Sequence, residues 1–144
     1  MKDIHIRFCI IPKEDILIII PLLKKLGSEN VSEALLKERS LEMAQQNYKC
    51  VGIYDGDKLL GICGMWFQTR HYSGKSLEVD HVVIDEAYRN QGIGSQLMEF
   101  VYDYAKKKSC NWIELNTYVS NFPSHKFYYN QGFVAKGYHF VKPL

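Results

Sequence analysis

An apolar strand leads through a short polar loop into a periodic helix in the sequence Val82-Val83-Ile84-Asp85-Glu86-Ala87-Tyr88-Arg89-Asn90-Gln91-Gly92-Ile93-Gly94-Ser95. The helix carries a stripe of apolar residues with amphipathic spacing, at Ile93, Leu97, Phe100, Val101 and Tyr104. Its first turn offers unpaired backbone N–H groups and the positive end of a dipole to an anion. Gly92 and Gly94 permit close backbone approach, and Arg89 adds positive charge. The segment therefore predicts a phosphate-binding loop.

Two better-known glycine loops differ from this one. A Walker A loop continues with Lys and Ser or Thr after its last glycine, whereas Gly94 is followed by Ser95 and Gln96. The dinucleotide fingerprint requires a small residue where this chain has Leu97. The pattern R-x-x-G-x-G between a strand and a helix instead resembles the coenzyme A loop of the GCN5-related N-acetyltransferases. Taken alone, the hexapeptide also fits an ordinary strand-to-helix turn.

Length and composition indicate one globular domain over residues 1–144. The chain has 144 residues and a formal net charge of +2, so we expect no nucleic-acid partner and no polybasic membrane binding. Four cysteines, at Cys9, Cys50, Cys63 and Cys110, have neither C-x-x-C nor zinc-site spacing. The apolar segment from Ile16 to Leu23 is too short to cross a bilayer. These features predict a cytoplasmic protein without a metal.

Hydrophobic periodicity and turn residues predict the element order βααβββαβαβ. The tight turn Asp55-Gly56-Asp57 joins two strands into a hairpin, and Ser32 is the expected N-cap of the second helix. The predicted elements are a strand over 4–10, a helix ending near Gly27, a helix over 32–46, strands over 49–54, 58–68 and 77–84, the helix after the glycine loop, a strand over 111–117, a helix over 123–130 and a last strand reaching about Val141. The fold class is α/β, with a mixed, mainly antiparallel sheet and helices on both faces.

A second motif strengthens the resemblance over nearly the whole chain. The sequence from Asn121 to Phe133, NFPSHKFYYNQGF, looks like the family's N-x-x-A-x-x-F-Y-x-x-x-G-F helix, with Ser124 where Ala is usual. The chain is thus identified as similar to the GCN5-related N-acetyltransferases, which implies acetyl-CoA as cosubstrate. The implied acetyl-CoA contacts are Val82, Val83, Ile84, Arg89, Asn90, Gln91, Gly92, Ile93, Gly94, Ser95, Asn121 and Tyr128. For Asn121, a helix cap is the alternative.

Acetyl transfer requires a neutral amine, yet an alkyl ammonium is only about 0.04% neutral at pH 7. Glu78 and Asp80 are two residues apart in a predicted strand and therefore share a face. Either carboxylate could act as the base, directly or through a water, although a solvated strand face would have the same pattern. Resemblance to the family further implies that Tyr128 protonates the leaving thiolate. A backbone N–H of the same strand, that of Val83, would meet the oxyanion.

Other candidate site residues are suggested by strand alternation or by their position near the expected acceptor site. No sequence motif identifies the acceptor. His81 is expected on the face opposite Glu78 and Asp80, as a packed or hydrogen-bonded histidine and not as the catalytic base. His139 lies in the predicted last strand and is a candidate contact to the acceptor substrate. Four aromatic residues could line an acceptor pocket, although core packing is the default interpretation for such residues: Trp66, Phe67, Tyr72 and Tyr118.

The resemblance implies an acetyl-CoA-dependent N-acetyltransferase that moves an acetyl group directly to a primary amine of a small molecule or protein. The alternative is a catalytically silent domain that binds acyl-CoA or a partner protein. An exposed edge on the predicted last strand also suggests a homodimer.

Overall fold

A computed structural model of the chain describes residues 5–27 and 30–144. The chain consists of two compact units, Met1–Glu114 and Leu115–Leu144. The elements of the first unit are β1 (Ile6–Ile10), α1 (Ile20–Leu23), α2 (Glu33–Ala44), β2 (Tyr48–Asp55), β3 (Lys58–Arg70), β4 (Gly74–Ile84) and α3 (Ile93–Lys107). β5 (Trp112–Leu115) spans the boundary, and α4 (Phe122–Asn130) belongs to the second unit. In the described part of the chain, no helix has the length and apolarity needed to cross a bilayer.

The five strands form one sheet in the order β1-β2-β3-β4-β5. Pairing is antiparallel from β1 through β4, and the helical connection between β4 and β5 is of the kind that joins parallel strands. One sheet face packs against the α1 region through an apolar cluster that includes Ile19, Cys50 and Ile62. The other face meets α3, where Phe8 stacks on Phe100 with 5.8 Å between ring centroids. The predicted α/β class, with a mixed sheet covered on both faces, is confirmed.

Local signals placed the caps and the hairpin correctly. Ser32 caps α2, since its Oγ accepts a hydrogen bond from the N–H of Leu35 at 3.1 Å. β2 turns into β3 through Gly56, whose φ of +59° suits glycine. The first predicted helix is instead interrupted: 3-10 turns over Lys13–Ile19 and Lys24–Leu26 flank the short α1. Pro21 lies at the start of α1, because proline has no N–H with which to continue a helix that began earlier.

Strand β4 contains a bulge that strict alternation does not predict. Cys63 of β3 pairs with Val82 and Met65 pairs with Val79, so Gly64 alone opposes two residues, Asp80 and His81. An extra residue in one strand breaks the alternation of side chains between the two faces. We call Asp80 and His81, opposite Gly64, the β4 bulge.

The last predicted strand is absent. No strand follows β5 in the second unit, and residues 133–144 carry no regular secondary structure. The homodimer, which relied on an edge of that strand, stays a prediction without this support. Of the predicted first strand, residue 4 lies outside the described residues.

Candidate active site

Residues Arg89–Ser95, which we call the glycine loop, enter α3 without a side-chain cap. Gly92 is the N-cap residue and has φ +74°, a conformation that is strained for other residues. The first helical bond runs from Gln96 N–H to Gly92 O at 3.2 Å, so the N–H groups before Gln96 have no acceptor within the helix. A Cβ added at Gly92 would meet no atom within 4 Å. The loop therefore presents an open backbone surface with the polarity that a diphosphate requires.

A short turn fixes the approach to the glycine loop. The Ala87 N–H donates to Asp85 Oδ1 at 3.0 Å, and this bond, followed by the nearby Lys25 and Lys58 ammonium groups, lowers the pKa of Asp85. Asp85 thus holds the chain between β4 and the glycine loop. Arg89 is exposed, and in the described residues no ion pair joins it to a carboxylate.

The end of β4 that leads to the glycine loop has an open outer edge in the first unit. β5 is four residues long, and its approach begins where the Asn111 N–H donates to Lys75 O at 2.7 Å. A strand of that length extends roughly 13 Å, which places it beside the first half of β4. Among the described residues, the strand-pairing partners of Val82–Ile84 are Cys63, Ile62 and Gly61 of β3.

Strand pairing also decides which amides of this edge face outward. Asp85 N–H donates to Leu60 O at 2.7 Å, and bonded pairs alternate along an antiparallel ladder. Ile62 and Val83 are therefore also a bonded pair, which agrees with the Val83 carbonyl lying 2.8 Å from a Cβ built on Gly61. Val83 directs its N–H to β3, so the prediction that this N–H meets the oxyanion is wrong. The outward amides belong to Val82 and Ile84.

The β4 bulge brings four side chains from three strands together on the α1 face of the sheet. The Tyr48 hydroxyl lies 2.7 Å from His81 Nε2, and the Trp66 Nε1–H donates to Asp80 Oδ2 at 2.9 Å. His81 Nδ1 lies 3.8 Å from Asp80 Oδ2, and the Tyr48 and Trp66 rings are 4.9 Å apart. We call these four residues the bulge cluster.

The placement of His81 corrects the expectation from alternation. Alternation put His81 on the face opposite Asp80, but the bulge turns both side chains to the same face. The ring lies directly over Gly64, where an added Cβ would come within 2.5 Å of Cε1 and 2.6 Å of Nε2. Gly64 is therefore required for the imidazole to lie against the sheet.

Burial and charge shift the pKa of His81 in the bulge cluster in opposite directions. The His81 side chain is 9% exposed, while that of Asp80 is 51% exposed. Burial lowers the pKa of His81, and the neighbouring Asp80 carboxylate opposes that shift. Burial likewise raises the pKa of Tyr48. At neutral pH the cluster therefore contains a neutral imidazole and a neutral phenol behind a solvent-facing carboxylate.

Glu78 lies on the same face of β4, further from the glycine loop. It pairs with Trp66 across the strands, so the prediction that Glu78 and Asp80 share a face is confirmed. Its charge acts on the Arg70 guanidinium, whose pKa is raised mainly by the hydrogen bond to Glu114. That bond joins Arg70 Nη1 to Glu114 Oε1 at 2.8 Å and ties β5 to β3. Glu78 thus has a cationic neighbour, whereas Asp80 faces an indole N–H and an imidazole.

The second unit contains Asn121 and Tyr128 on α4. Asn121 Oδ1 accepts a hydrogen bond from the Ser124 N–H at 3.3 Å, so this side chain caps the helix. Tyr128 lies seven residues later, on the same side of α4, and its ring contacts Phe133 at 5.6 Å between centroids. The roles of Asn121 toward pantetheine and of Tyr128 toward sulfur stay predictions.

The predicted aromatic and histidine contacts fall in different places. Trp66 lies on the α1 face, whereas Phe67 packs against Tyr104 of α3 on the other face, so these two rings do not line one pocket. Tyr72 and Tyr118 are exposed. His139 lies in the segment where no strand forms.

Sequence reasoning missed Tyr48 and Gly64 and misplaced His81. One feature of the sequence could have indicated the β4 bulge, because a glycine inside an otherwise apolar strand suggests a bulge or a close approach of another group. Gly64 stands in such a run, between Cys63 and Met65.

Comparison with known proteins places this site in a family. The sequence profile described as "Acetyltransferase (GNAT) family" matches residues 19–133. The chain belongs to the acetyltransferase (GNAT) family. It is an acetyltransferase, and the matched region includes the β4 bulge, the glycine loop and α4.

Named relatives and a solved structure agree with this GNAT assignment. The chain is 23% identical over 125 residues to an uncharacterized N-acetyltransferase, YhdJ, of Bacillus subtilis, covering 86% of this chain and 88% of that protein. It is 28% identical over 74 residues to the aminoalkylphosphonate N-acetyltransferase of Salmonella typhimurium, covering 51% and 48% of the two chains. The crystal structure of the aminoglycoside N-acetyltransferase AAC(6')-Iy in complex with CoA has a TM-score of 0.84 at 15% identity, covering 99% of this chain and 97% of that one. At that identity, the last likeness concerns the fold.

Proposed function

We propose that this GNAT protein transfers an acetyl group from acetyl-CoA directly to a primary amine of a small molecule or an exposed protein amine. One observation carries the proposal: the open edge of β4 joins a solvent-facing carboxylate, Asp80, to an uncapped helix N-terminus at Gly92. The carboxylate suits a cationic acceptor, and the helix N-terminus suits a phosphorylated donor. We further propose that residues 1–144 act as one domain.

The donor is held mainly by backbone groups. The outward amides and carbonyls of Val82 and Ile84 pair with the pantetheine arm as an added strand would. The amides from Gln91 to Ser95 hold the pyrophosphate, and Arg89 beside Asn90 adds a positive charge. When bound, acetyl-CoA supplies an activated acetyl group as a thioester.

The acceptor amine meets the α1 face of β4. Asp80 and Glu78 are both candidate proton acceptors, and Asp80 lies closer to the glycine loop along the strand. An outward amide of Val82 or Ile84 stabilises the developing oxyanion. Tyr128 donates a proton to the leaving sulfur, and Asn121 uses its side-chain amide nitrogen toward pantetheine.

The charge of the site and one named relative favour a small cationic acceptor. Two carboxylates on one strand face attract an ammonium group. The relative named as an aminoalkylphosphonate N-acetyltransferase acts, by that name, on a small amine. A small amine is therefore the first choice of substrate, and a protein amine is the second.

The test measures free thiol released from acetyl-CoA with an amine panel, alongside thermal shift with CoA. The panel contains an aminoalkylphosphonate, an aminoglycoside, a simple diamine and a peptide with a free N-terminus. Turnover of at least one amine, reduced in Asp80→Asn, is the expected result. Stabilisation by CoA without any turnover would support a silent binding domain, and no stabilisation would contradict both functions.

A further inference from the structure

We propose that Asp80 and His81 act as one proton acceptor, in which Asp80 meets the acceptor ammonium and His81 stores its proton, with Tyr48 as the positioning residue. The inference deepens the proposed acetyl transfer and rests on it. It arises from the β4 bulge, which turns Asp80 and His81 to the same face. Without the bulge, the imidazole would lie on the opposite side of the sheet.

Hydrogen bonding determines which imidazole nitrogen can accept a proton. In this proposal, the proton of the neutral imidazole is assigned to Nε2, and the Tyr48 hydroxyl lies within hydrogen-bond distance of that nitrogen. The Tyr48 oxygen is then available to accept from His81 Nε2–H at 2.7 Å. This tautomer leaves Nδ1 without a proton, 3.8 Å from Asp80 Oδ2, a separation that one water can bridge. A proton that arrives at Nδ1 therefore forms an ion pair with the carboxylate while Nε2–H keeps its acceptor.

The surroundings limit the groups that act on His81. The titratable side chains around the bulge cluster are Tyr48 and Cys50 of β2, Cys63 of β3, and Glu78 and Asp80 of β4, and the Asp80 charge acts on His81. Burial raises the pKa of the Cys50 thiol to about 11 and raises that of Cys63 as well, so both thiols are neutral near pH 7. The α1 region adds apolar side chains to this face. Asp80 is thus the charged group that compensates an imidazolium at this position.

The chemistry explains why a second base is useful. In model peptides, histidine is a stronger base than aspartate by a factor of about 400. Burial of His81 reduces this difference in basicity, but the imidazole still lies next to Asp80. The half-exposed Asp80 can contact a substrate, whereas the largely buried His81 cannot do so freely. The two side chains therefore divide contact and proton storage between them.

The proton balance of the step is complete without another reactant. One ammonium N–H bond breaks, and its proton moves to the Asp80 carboxylate and from there through one water to His81 Nδ1, which lies 3.8 Å from Asp80 Oδ2. The amine nitrogen forms a bond to the acetyl carbonyl carbon, and the thioester C–S bond breaks with its electron pair on sulfur. The second proton lost by nitrogen ends on the sulfur as a thiol, and the imidazolium returns its proton to water through Asp80.

The test is the pH profile of kcat/KM between pH 5 and 9 with one turned-over amine. If the enzyme takes the proton from a bound ammonium, kcat/KM is constant above the pKa of His81 and falls tenfold per pH unit below it. Since burial lowers that pKa, the fall is expected below about pH 6.5. In His81→Gln, the free amine must be supplied by solution, so kcat/KM rises tenfold per pH unit from pH 6 to 9. The deficit relative to wild type is therefore largest at low pH.

Matched variants separate this role from a structural one. His5→Gln removes an exposed histidine before β1 and should keep the wild-type profile. Tyr48→Phe keeps the imidazole but removes the acceptor for Nε2–H, so the acidic fall should move to lower pH. Circular dichroism and thermal shift with CoA show whether His81→Gln folds. If it does not, the pH profile of Tyr48→Phe tests the proposal.

The outcomes distinguish the two levels of the proposal. A wild-type protein that acetylates no amine contradicts the proposed function itself. A wild-type protein that is active, with His81→Gln or Tyr48→Phe showing the same profile shape as wild type, overturns the Asp80–His81 acceptor and leaves the acetyltransferase in place.

Discussion

The glycine loop and the bulge cluster provide chemistry in two different ways. The glycine loop offers backbone N–H groups and the end of a helix dipole, so its function depends on the conformation of Gly92 more than on neighbouring side chains. The bulge cluster uses side chains from β2, β3 and β4, and its function depends on the register of those strands. In the proposed function, a local feature thus serves the donor, and a non-local feature serves the acceptor.

The largest effect is expected from Gly64→Ala, which tests whether the bulge cluster depends on close packing. The added Cβ would come within 2.5 Å of the buried His81 ring, and the ring cannot move without disturbing Tyr48. We expect the free energy of unfolding, measured by urea denaturation, to decrease by about 1–3 kcal/mol. Acetyl transfer should fall about 100-fold, because the imidazole leaves its place beside Asp80.

Gly137→Ala is the matched control for Gly64→Ala, because an added Cβ at Gly137 meets no atom within 4 Å. It should change neither stability nor turnover by more than a small factor. Wild-type stability in Gly64→Ala would contradict the packing of His81 against Gly64.

The next effect concerns the glycine loop through Gly92→Ala. A left-handed conformation costs a residue with Cβ about 1–2 kcal/mol, and relaxing it turns the first-turn amides away from the ligand. We expect CoA to bind about tenfold more weakly by isothermal titration calorimetry, which corresponds to about 1.4 kcal/mol.

Gly27→Ala provides a control with the same strain elsewhere. Gly27 has φ +68° at the end of the α1 region and open space around it. Its substitution should lower stability similarly and leave CoA affinity unchanged. Equal losses of CoA affinity in both variants would indicate a general effect of destabilisation and contradict a specific role for Gly92.

The same contrast explains how much the sequence could predict. The glycine loop was predictable because Gly92, the uncapped start of α3 and the apolar stripe are all local. Glu78 and Asp80 could be placed on one face because alternation holds from one to the other. His81 could not, since the bulge arises where β3 and β4 pair, and a register shift is a property of two strands together. Tyr48 was missed for the same reason.

The element order shows a similar division. Caps and tight turns, such as Ser32 and Gly56, follow from local hydrogen bonding and backbone preference. The predicted last strand, which was to reach about Val141, does not form, because a strand forms only where a partner strand accepts its hydrogen bonds. A sequence pattern does not supply that partner.

A smaller effect is expected from Trp66→Phe, which keeps an aromatic ring against Tyr48 but removes the N–H that binds Asp80. A hydrogen bond to a half-exposed carboxylate contributes about 1 kcal/mol, so kcat/KM should fall about fivefold. Steady-state kinetics with the preferred amine measures the change.

Phe67→Leu serves as the control for Trp66→Phe, because it alters an adjacent ring on the α3 face of the sheet. It should lower stability and have little effect on kcat/KM. An unchanged kcat/KM in Trp66→Phe would mean that Asp80 is held in place by other groups.

The smallest effect is expected from Arg89→Gln, which removes a charge but leaves the backbone of the glycine loop intact. Arg89 is exposed, and an exposed ionic contact contributes about 0.5 kcal/mol, so the Kd for CoA should rise two- to threefold at low salt. The difference should disappear near 0.5 M salt, where exposed charges are screened within a few ångströms. Arg39→Gln, which removes an exposed charge from α2, should leave the Kd unchanged at both salt concentrations. A loss for Arg89→Gln that persists at high salt would mean that the arginine shapes the loop, and the glycine loop would then depend on a side chain as the bulge cluster does.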